Sequence, residues 1–163
     1  MTKQGLYEIH QFKPKYDFDA GRGEQEGRSF CGTMNRLFLA REMIDQTLNV
    51  CCGTDRTGHV RLDVDRKMGP DVVADVRALP FKPRSFDTVI CDPPFNMFGA
   101  LKWITELRRC ARRKVILCTP NVLVRLGKGW ERKIWCIDAH SMFMRIWQVF
   151  THDILFDKEA SQR

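Results

Sequence analysis

Five short apolar runs, each followed by a Gly, Asp or Pro, constrain the fold of this 163-residue chain more than any other feature. The runs are rich in β-branched residues and apolar on both faces, which suits buried parallel strands better than half-exposed alternating ones. They occupy residues 48–52, 60–64, 72–74, 86–91 and 115–118. We therefore predict an α/β fold built on a mostly parallel sheet.

The remaining segments predict few helices and one hairpin. Helical patterns cover only residues 33–46, 98–113 and a short stretch at 121–126, and the other connections are too short for crossover helices of ~10–12 residues. Residues 132–137 and 143–151 flank a polar turn, which predicts a C-terminal hairpin and an antiparallel strand. Polar, Gly-containing residues 1–32 are predicted to form a flexible arm before a single domain at 33–163.

Composition indicates an ordinary globular domain. The chain is 44% hydrophobic and 29% charged, and no apolar run approaches the ~18 residues of a membrane span. The first residues also lack the apolar region of a signal peptide. The seven cysteines include no C-x-x-C pair, which predicts reduced thiols and no structural metal. We expect a cytoplasmic protein that does not bind a membrane.

The charge distribution suggests an anionic partner. Residues 97–163 carry 13 Lys and Arg against six Asp and Glu, which accounts for the whole net charge of +7. Nucleic acid is the predicted partner, although a solvated basic surface fits the charge alone about as well. The run 108–114 closes a predicted helix, where cations are favourable, and is interpreted as structural. The candidate nucleic-acid-binding residues are Arg125, Lys128, Arg132 and Lys133.

Polar residues follow four of the predicted strands. Gly53, Asp63 with Asp65, Asp75 and Asp92 each stand at the end of an apolar run. Ligands of open parallel α/β sheets bind outside the carboxyl ends of the strands. These residues are therefore predicted to converge on one crevice.

The same segments resemble class I S-adenosylmethionine-dependent methyltransferases, which implies a Rossmann-like sheet and S-adenosylmethionine as cofactor. Leu48–Thr54 is similar to the family's first-strand motif, with Cys51 and Asp55 in place of its first and last Gly. Asp63 resembles the acid that holds the ribose, with Asp65 in reserve, and Phe86–Val89 matches the F-D-x-V start of the fourth strand. The resemblance implies a cofactor site formed by Cys51, Cys52, Gly53, Asp63, Asp65, Asp75 and Val76, the last two at the adenine ring.

Asp92-Pro93-Pro94-Phe95 resembles the D-P-P-[YFW] motif of methyltransferases that modify exocyclic amines of nucleobases. An aryl amine is a poor nucleophile because its lone pair is delocalised into the ring. A carboxylate and a proline carbonyl can accept its N–H groups and localise that lone pair. The prolines stiffen the turn, and Phe95 offers a face on which an extruded base can stack. No metal is required.

The resemblance therefore implies methyl transfer to an exocyclic amine in DNA or RNA, with the 6-amino group of adenine as the first choice. The 2-amino group of guanine in RNA is the alternative, and cytosine and small-molecule substrates fit less well. A non-catalytic methyltransferase-like subunit that binds nucleic acid is the alternative of another class.

The small number of helices leads to a prediction about assembly. Strands such as 72–74 and 115–118 are apolar on both faces, so both faces of the sheet need cover. Unless the arm lies across the sheet, a large apolar face would stay exposed. A homodimer, or a partner subunit, is therefore expected to cover it.

Overall fold

The computed structural model describes residues 39–94, 97, 102–120, 122–138 and 145–152. The predicted arm, the start of the first predicted helix and Phe95 lie outside the described residues. The strands are Thr47–Val50 (β1), Val60–Asp63 (β2), Val72–Val73 (β3), Phe86–Cys91 (β4), Ala111–Pro120 (β5), Trp130–Asp138 (β6) and Arg145–His152 (β7). The described helical segments are Lys102–Cys110 (α1), the turn at 39–42 and the 3-10 turn Arg66–Met68. None of the described helices is long and apolar enough to cross a membrane.

The seven strands form one sheet in the order β3-β2-β1-β4-β5-β7-β6. Pairing is parallel from β3 to β5, and β7 runs antiparallel to both of its neighbours, β5 and β6. The predicted α/β class, the mostly parallel sheet and the C-terminal antiparallel strand are confirmed. All five apolar runs contain strands, and β4 has the bounds that its run predicts.

One face of the sheet packs on α1. Trp103 and Leu107 of this helix are fully buried against sheet residues such as Leu48, Val89 and Leu117. The spacing of four residues places both helix side chains on one side of α1. The main core of the domain therefore lies between α1 and the centre of the sheet.

The other face is buried within the single chain. Ile90, Ile116, Cys118 and Trp147 are at most 1% exposed and belong to one cluster with Leu39. The segment after Leu39 is tied to this face because the backbone N–H of Ile44 donates to Thr88 Oγ1 at 3.0 Å. The apolar surface that motivated a homodimer is thus covered at these positions. The oligomeric state stays a prediction, to be tested by light scattering.

The connection from β1 to β2 contains no helix. Residues 51–59 instead fold back over β1: the backbone N–H of His59 donates to Thr47 O at 2.9 Å, and Asn49 Nδ2 donates to Thr57 O at 3.1 Å. Gly58 has a φ of 96°, and a Cβ there would come within 3.3 Å of Asn49 Cβ. The expected reduction in helices is therefore confirmed in this crossover, where a close-packed loop takes the place of a helix.

Two predicted helix ends are wrong, and a third predicted helix is not helical where the structure describes it. The first helix is helical only at 39–42 among the described residues, because Asp45 has a φ of 43° and β1 begins two residues later. The second ends at Cys110 rather than 113, since residues from Ala111 onward pair with β4. The short helix predicted at 121–126 is not helical at its described residues, 122–126. The backbone N–H of Val124 and the carbonyl of Val122 bond to side chains instead of continuing a helical turn.

The basic run 108–114 makes contacts within the fold, although its last three basic residues lie in β5 and not in the predicted helix. Arg109 donates to Glu106 and to the carbonyls of Phe81 and Leu79, which ties the end of α1 to the segment before β4. The next three basic residues pair with acids on neighbouring segments. These pairs are Arg112 with Asp87, Arg113 with Asp45, and Lys114 with Glu42.

Candidate active site

The carboxyl ends of β1, β2 and β4 lie side by side. Val50, the last residue of β1, is in register with Leu62 on one side and Cys91 on the other. The chain runs from β1 outward to β3 and then returns to β4 on the opposite side of β1. A reversal of this kind is the switch point at which open α/β sheets bind their ligands. The structure therefore brings the ends followed by Gly53, Asp63 and Asp92 together.

Asp63 organises the turn after β1. Its Oδ2 accepts the backbone N–H of Gly53 and its Oδ1 accepts that of Asp65, both at 2.9 Å. Cys51 and Gly53 adopt left-handed φ values of 57° and 52°. A carboxylate offers about four acceptor positions, so two remain for hydroxyl groups of a ligand. Cys51 thus adopts a conformation that favours glycine, and Asp63 helps to hold the strained turn.

Asp55, the second departure from the glycine motif, holds the loop that replaces the helix. Its Oδ1 accepts the backbone N–H of Thr57 at 2.7 Å and Asn49 Nδ2 at 3.4 Å. A glycine could make neither bond. Asp55 therefore replaces the glycine of the motif because it stabilises the short loop between β1 and β2.

Two buried thiols beneath the crevice, those of Cys52 and Cys91, have raised pKa values. Burial and the nearby charge of Asp63 raise the pKa of Cys52 to about 11, and its Sγ donates to Gly53 O at 3.3 Å. Burial also raises the pKa of the Cys91 thiol, and a hydrogen bond with the Cys51 thiol raises it further. None of the described cysteines forms a disulfide, and the described residues contain no group of His, Cys, Asp and Glu that could hold a metal.

Asp75 and Val76 follow β3 at the same edge. The Arg77 guanidinium engages both carboxylate oxygens of Asp75, and the Arg77 backbone N–H donates to Oδ1 at 2.8 Å. These bonds lower the pKa of Asp75 to about 2. Among the described residues the Val76 N–H has no hydrogen-bond partner, while its side chain is buried. This site therefore holds an ionised carboxylate, paired with Arg77, next to the Val76 N–H donor.

Asp92, Pro93 and Pro94 follow β4. Asp92 is half-buried, Pro93 is buried and Pro94 is exposed. The Pro94 carbonyl accepts the Met97 N–H at 3.0 Å, and the Met97 carbonyl accepts Trp103 Nε1 at 3.2 Å. The Pro93 carbonyl accepts no hydrogen bond from the described part of the chain. Of the two proline carbonyls, that of Pro93 is the one without a hydrogen-bond partner among the described residues.

Two apolar residues at strand ends were missed by the sequence reasoning. Val64, between Asp63 and Asp65, is 69% exposed, and Leu123, after β5, is 51% exposed. A third exposed apolar residue, Val73, lies within β3 itself. The sequence places Val64 in the apolar run 60–64, but β2 ends at Asp63, which leaves Val64 outside the strand.

The predicted nucleic-acid-binding residues do not gather at the crevice. Arg125 and Lys128 are exposed on the segment that runs from the end of β5 to the start of β6. β6 begins at the opposite edge, where Trp130 pairs with His152 and Lys128 O lies 3.4 Å from Arg108 Nη2. Arg132 donates to Val124 O at 2.9 Å, and Lys133 lies half-buried on β6. They line the side of the domain instead of the rim, because the chain turns away from the crevice after Leu123.

Searches against protein-family models and curated proteins find no match. Among solved structures, the chain is similar to the PH0226 protein of Pyrococcus horikoshii OT3, with 14% identity, a TM-score of 0.51, and coverage of 74% of this chain and 88% of that one. It is also similar to a dimethyladenosine transferase from Plasmodium falciparum, with 13% identity and a TM-score of 0.51. That match covers 71% of this chain and 59% of the transferase.

At these identities the likeness establishes the fold. The chain has a Rossmann-like α/β fold, shared with these two structures, with a seven-stranded mixed sheet and few helices among the described residues.

Proposed function

We propose that this protein is an S-adenosylmethionine-dependent methyltransferase that acts on an exocyclic amine of a nucleobase in nucleic acid, with the 6-amino group of adenine as the preferred target. One observation carries the proposal. Asp92, Pro93 and Pro94 follow β4 beside the turn in which Asp63 binds Gly53, at the switch point of the sheet.

The residues at this edge suit the cofactor. Asp63 retains two acceptor positions for the ribose hydroxyls, and Val64 offers an exposed apolar surface beside it. Asp75 can accept the amine of the adenine ring while the Val76 N–H donates to a ring nitrogen. The carboxylates also favour a ligand that carries a sulfonium cation. When bound, S-adenosylmethionine supplies an electrophilic methyl group.

The chain's own role in the chemistry is to orient the amine. The Asp92 carboxylate and the Pro93 carbonyl accept the two N–H groups, which holds the nitrogen lone pair out of the ring. The Pro93 carbonyl is the better second acceptor because that of Pro94 already bonds to Met97. No strong base is needed, since the methylated amine is cationic and loses its proton readily. Stacking of the base on Phe95 stays a prediction.

The charge and the motif support a nucleic-acid substrate. The basic excess lies wholly within residues 97–163, which includes the exposed Arg125 and Lys128. The resemblance of Asp92–Phe95 to the D-P-P-[YFW] motif supports a nucleobase amine. The 2-amino group of guanine in RNA presents the same two N–H groups and is the alternative substrate.

A second candidate is a non-catalytic subunit that binds nucleic acid. The carboxylates of Asp63 and Asp75 already accept hydrogen bonds within the chain, which leaves fewer acceptor positions for a cofactor and favours this candidate. Cofactor binding distinguishes the two candidates, because a non-catalytic subunit of this kind would not bind S-adenosylmethionine.

The proposal is tested with methyl-labelled S-adenosylmethionine and separate pools of DNA and RNA. The first readout is cofactor binding by equilibrium dialysis, and the second is the methylated nucleoside identified by mass spectrometry. We expect saturable binding and label in N6-methyladenosine or its deoxy form. Label in N2-methylguanosine would establish the alternative substrate, and an absence of cofactor binding would support the non-catalytic subunit.

A further inference from the structure

Gln148 is a fully buried polar residue in the middle of β7. Its Nε2 donates to Thr119 Oγ1 at 2.8 Å and to Val122 O at 2.9 Å, and its Oε1 accepts the Val124 N–H at 3.0 Å. An amide in an apolar core is costly unless it is hydrogen-bonded. Two of these bonds, to Val122 and Val124, hold residues 122–124 against the sheet, and the third joins Gln148 to Thr119 of β5.

This clamp determines how the segment after β5 presents its side chains. Val124 is 2% exposed and packs in the main core, and Val122 is partly buried against the same core. The Thr119 hydroxyl donates to Val122 O at 2.7 Å and adds a second anchor. With its two neighbours held inward, Leu123 projects outward and is 51% exposed.

The clamped segment borders the substrate end of the crevice. Cys91, Leu117 and Gln148 are partners in one row across β4, β5 and β7. Neighbouring strands are about 4.8 Å apart, so Gln148 lies roughly 10 Å from the strand end that Asp92 follows. Asp63 and Asp75 follow β2 and β3, on the far side of β1. Leu123 and Val64 therefore flank opposite ends of the crevice.

We propose that Leu123 contacts the target base and that Gln148 is the positioning residue that holds it there. This inference rests on the proposed function and deepens it: the substrate is a base with an apolar face, held between Asp92 and the segment after β5. Val64 has the corresponding contact at the cofactor end.

Steady-state kinetics on the nucleic acid identified by label transfer test the proposal. Leu123→Ser should raise KM for that substrate roughly fivefold, the cost of losing about half of a leucine's apolar contact, with kcat and cofactor Kd little changed. Leu123→Met should restore KM. Val64→Ser should change the other constant: it should raise the cofactor Kd and leave the substrate KM unchanged. Val73→Ser, a matched exposed valine on an edge strand, should change neither constant.

Gln148→Met tests the positioning role. Removing the amide should speed hydrogen exchange of the Val124 N–H and raise the substrate KM in the same direction as Leu123→Ser. Val149→Ala, a core variant of the same strand, should lower Tm without changing KM. This control separates positioning from a general loss of stability.

The outcomes distinguish this inference from the proposed function. Normal methyl transfer with an unchanged KM in Leu123→Ser would overturn the inference alone. Faster exchange at Val124 without any change in KM would overturn the role of Gln148. Wild-type protein that neither binds the cofactor nor transfers methyl groups would overturn the proposed function, and the inference with it.

Discussion

Asp63 has both a structural and a ligand-binding role at the crevice. Asp63→Ala removes the acceptor for the N–H groups of Gly53 and Asp65, so the free energy of unfolding should fall by about 1–3 kcal/mol. Loss of the bonds to ribose should also raise the cofactor Kd roughly ten- to hundredfold. Calorimetry for binding and urea titration for stability measure the two effects.

Asp71 provides the matched control for this substitution. It also bonds to a backbone N–H and a side chain, those of Arg61, but it precedes β3 at the other edge of the sheet. Asp71→Ala should change stability without changing cofactor Kd. An unchanged Kd in Asp63→Ala would remove Asp63 from the binding site.

Asp75 makes a pH-dependent contribution whose sign is fixed by its lowered pKa. Its carboxyl has a pKa of about 2 in the folded protein against an ordinary 3.8. The stabilisation of the folded protein by ionised Asp75 is therefore complete at pH values above the ordinary pKa of 3.8, and it is lost as the pH falls towards 2. The effect on unfolding should be small, because the Arg77 side chain is 71% exposed and solvent screens the pair.

Nuclear magnetic resonance titration of the Asp75 carboxyl carbon measures this effect directly. We expect a midpoint near 2 in the wild type and a return towards 3.8 in Arg77→Ala. An identical midpoint in both proteins would mean that Arg77 is not the cause. Cofactor binding by the wild type should be insensitive to this group between pH 5 and 8.

At the scale of elements, Arg109 fixes the end of α1. It donates to Glu106 and to the carbonyls of Phe81 and Leu79, at distances of 2.6 to 2.9 Å. Arg109→Ala should therefore lower the free energy of unfolding by about 2–3 kcal/mol, because charged donors to partly buried acceptors are lost. The adjacent Arg108, whose bond to Lys128 O is 3.4 Å long, is the control.

Urea titration of both variants decides the point. Arg108→Ala should cost less than about 0.5 kcal/mol. Equal losses in the two variants would show that the effect is one of helix propensity or charge, since both residues occupy the last turn of α1.

The sequence predicts the strands better than the connections between them. β4 was found residue for residue because it is apolar, β-branched and ended by Asp92-Pro93. Residues 111–113 are predicted to be helical because Cys110 and Ala111 continue the apolar spacing of residues 101, 104 and 107. Pairing with β4 and ion pairs with distant acids override that pattern. The helix predicted at 121–126 is wrong for the same reason, since Gln148, which bonds to Val124, lies more than 20 positions further along the chain.

The candidate site, too, was predictable in part: its positions follow from the strands, but its hydrogen-bond partners do not. The positions of Gly53, Asp63, Asp75 and Asp92 could be predicted, because each ends a recognisable strand. Their partners could not be, since the bond from Gly53 to Asp63 depends on two strands meeting in register. Arg77 is an exception: it lies only two residues after Asp75, a local spacing that could have suggested the ion pair.

At the scale of the whole molecule, the basic surface should make nucleic-acid binding depend on salt. Arg125 and Lys128 are exposed, whereas Arg132 is bonded to Val124 O. Replacing both Arg125 and Lys128 by Ala should weaken binding of a fluorescent oligonucleotide. It should also reduce the slope of log K against log salt by about 1–2. Lys82→Ala, an exposed lysine in the segment before β4, serves as the control. An unchanged slope in the double variant would place the interface elsewhere.

The most direct test is whether Asp92 orients the target amine. It compares methyl transfer by Asp92→Ala and by the wild type on the nucleic acid that accepts label. We predict a loss of transfer greater than a hundredfold in a single turnover, because the amine loses the acceptor that localises its lone pair. Cofactor Kd should stay within a few-fold of the wild type, since Asp63, Asp75 and Val76 are unchanged. Near-normal transfer by Asp92→Ala would show that this carboxylate does not orient the amine.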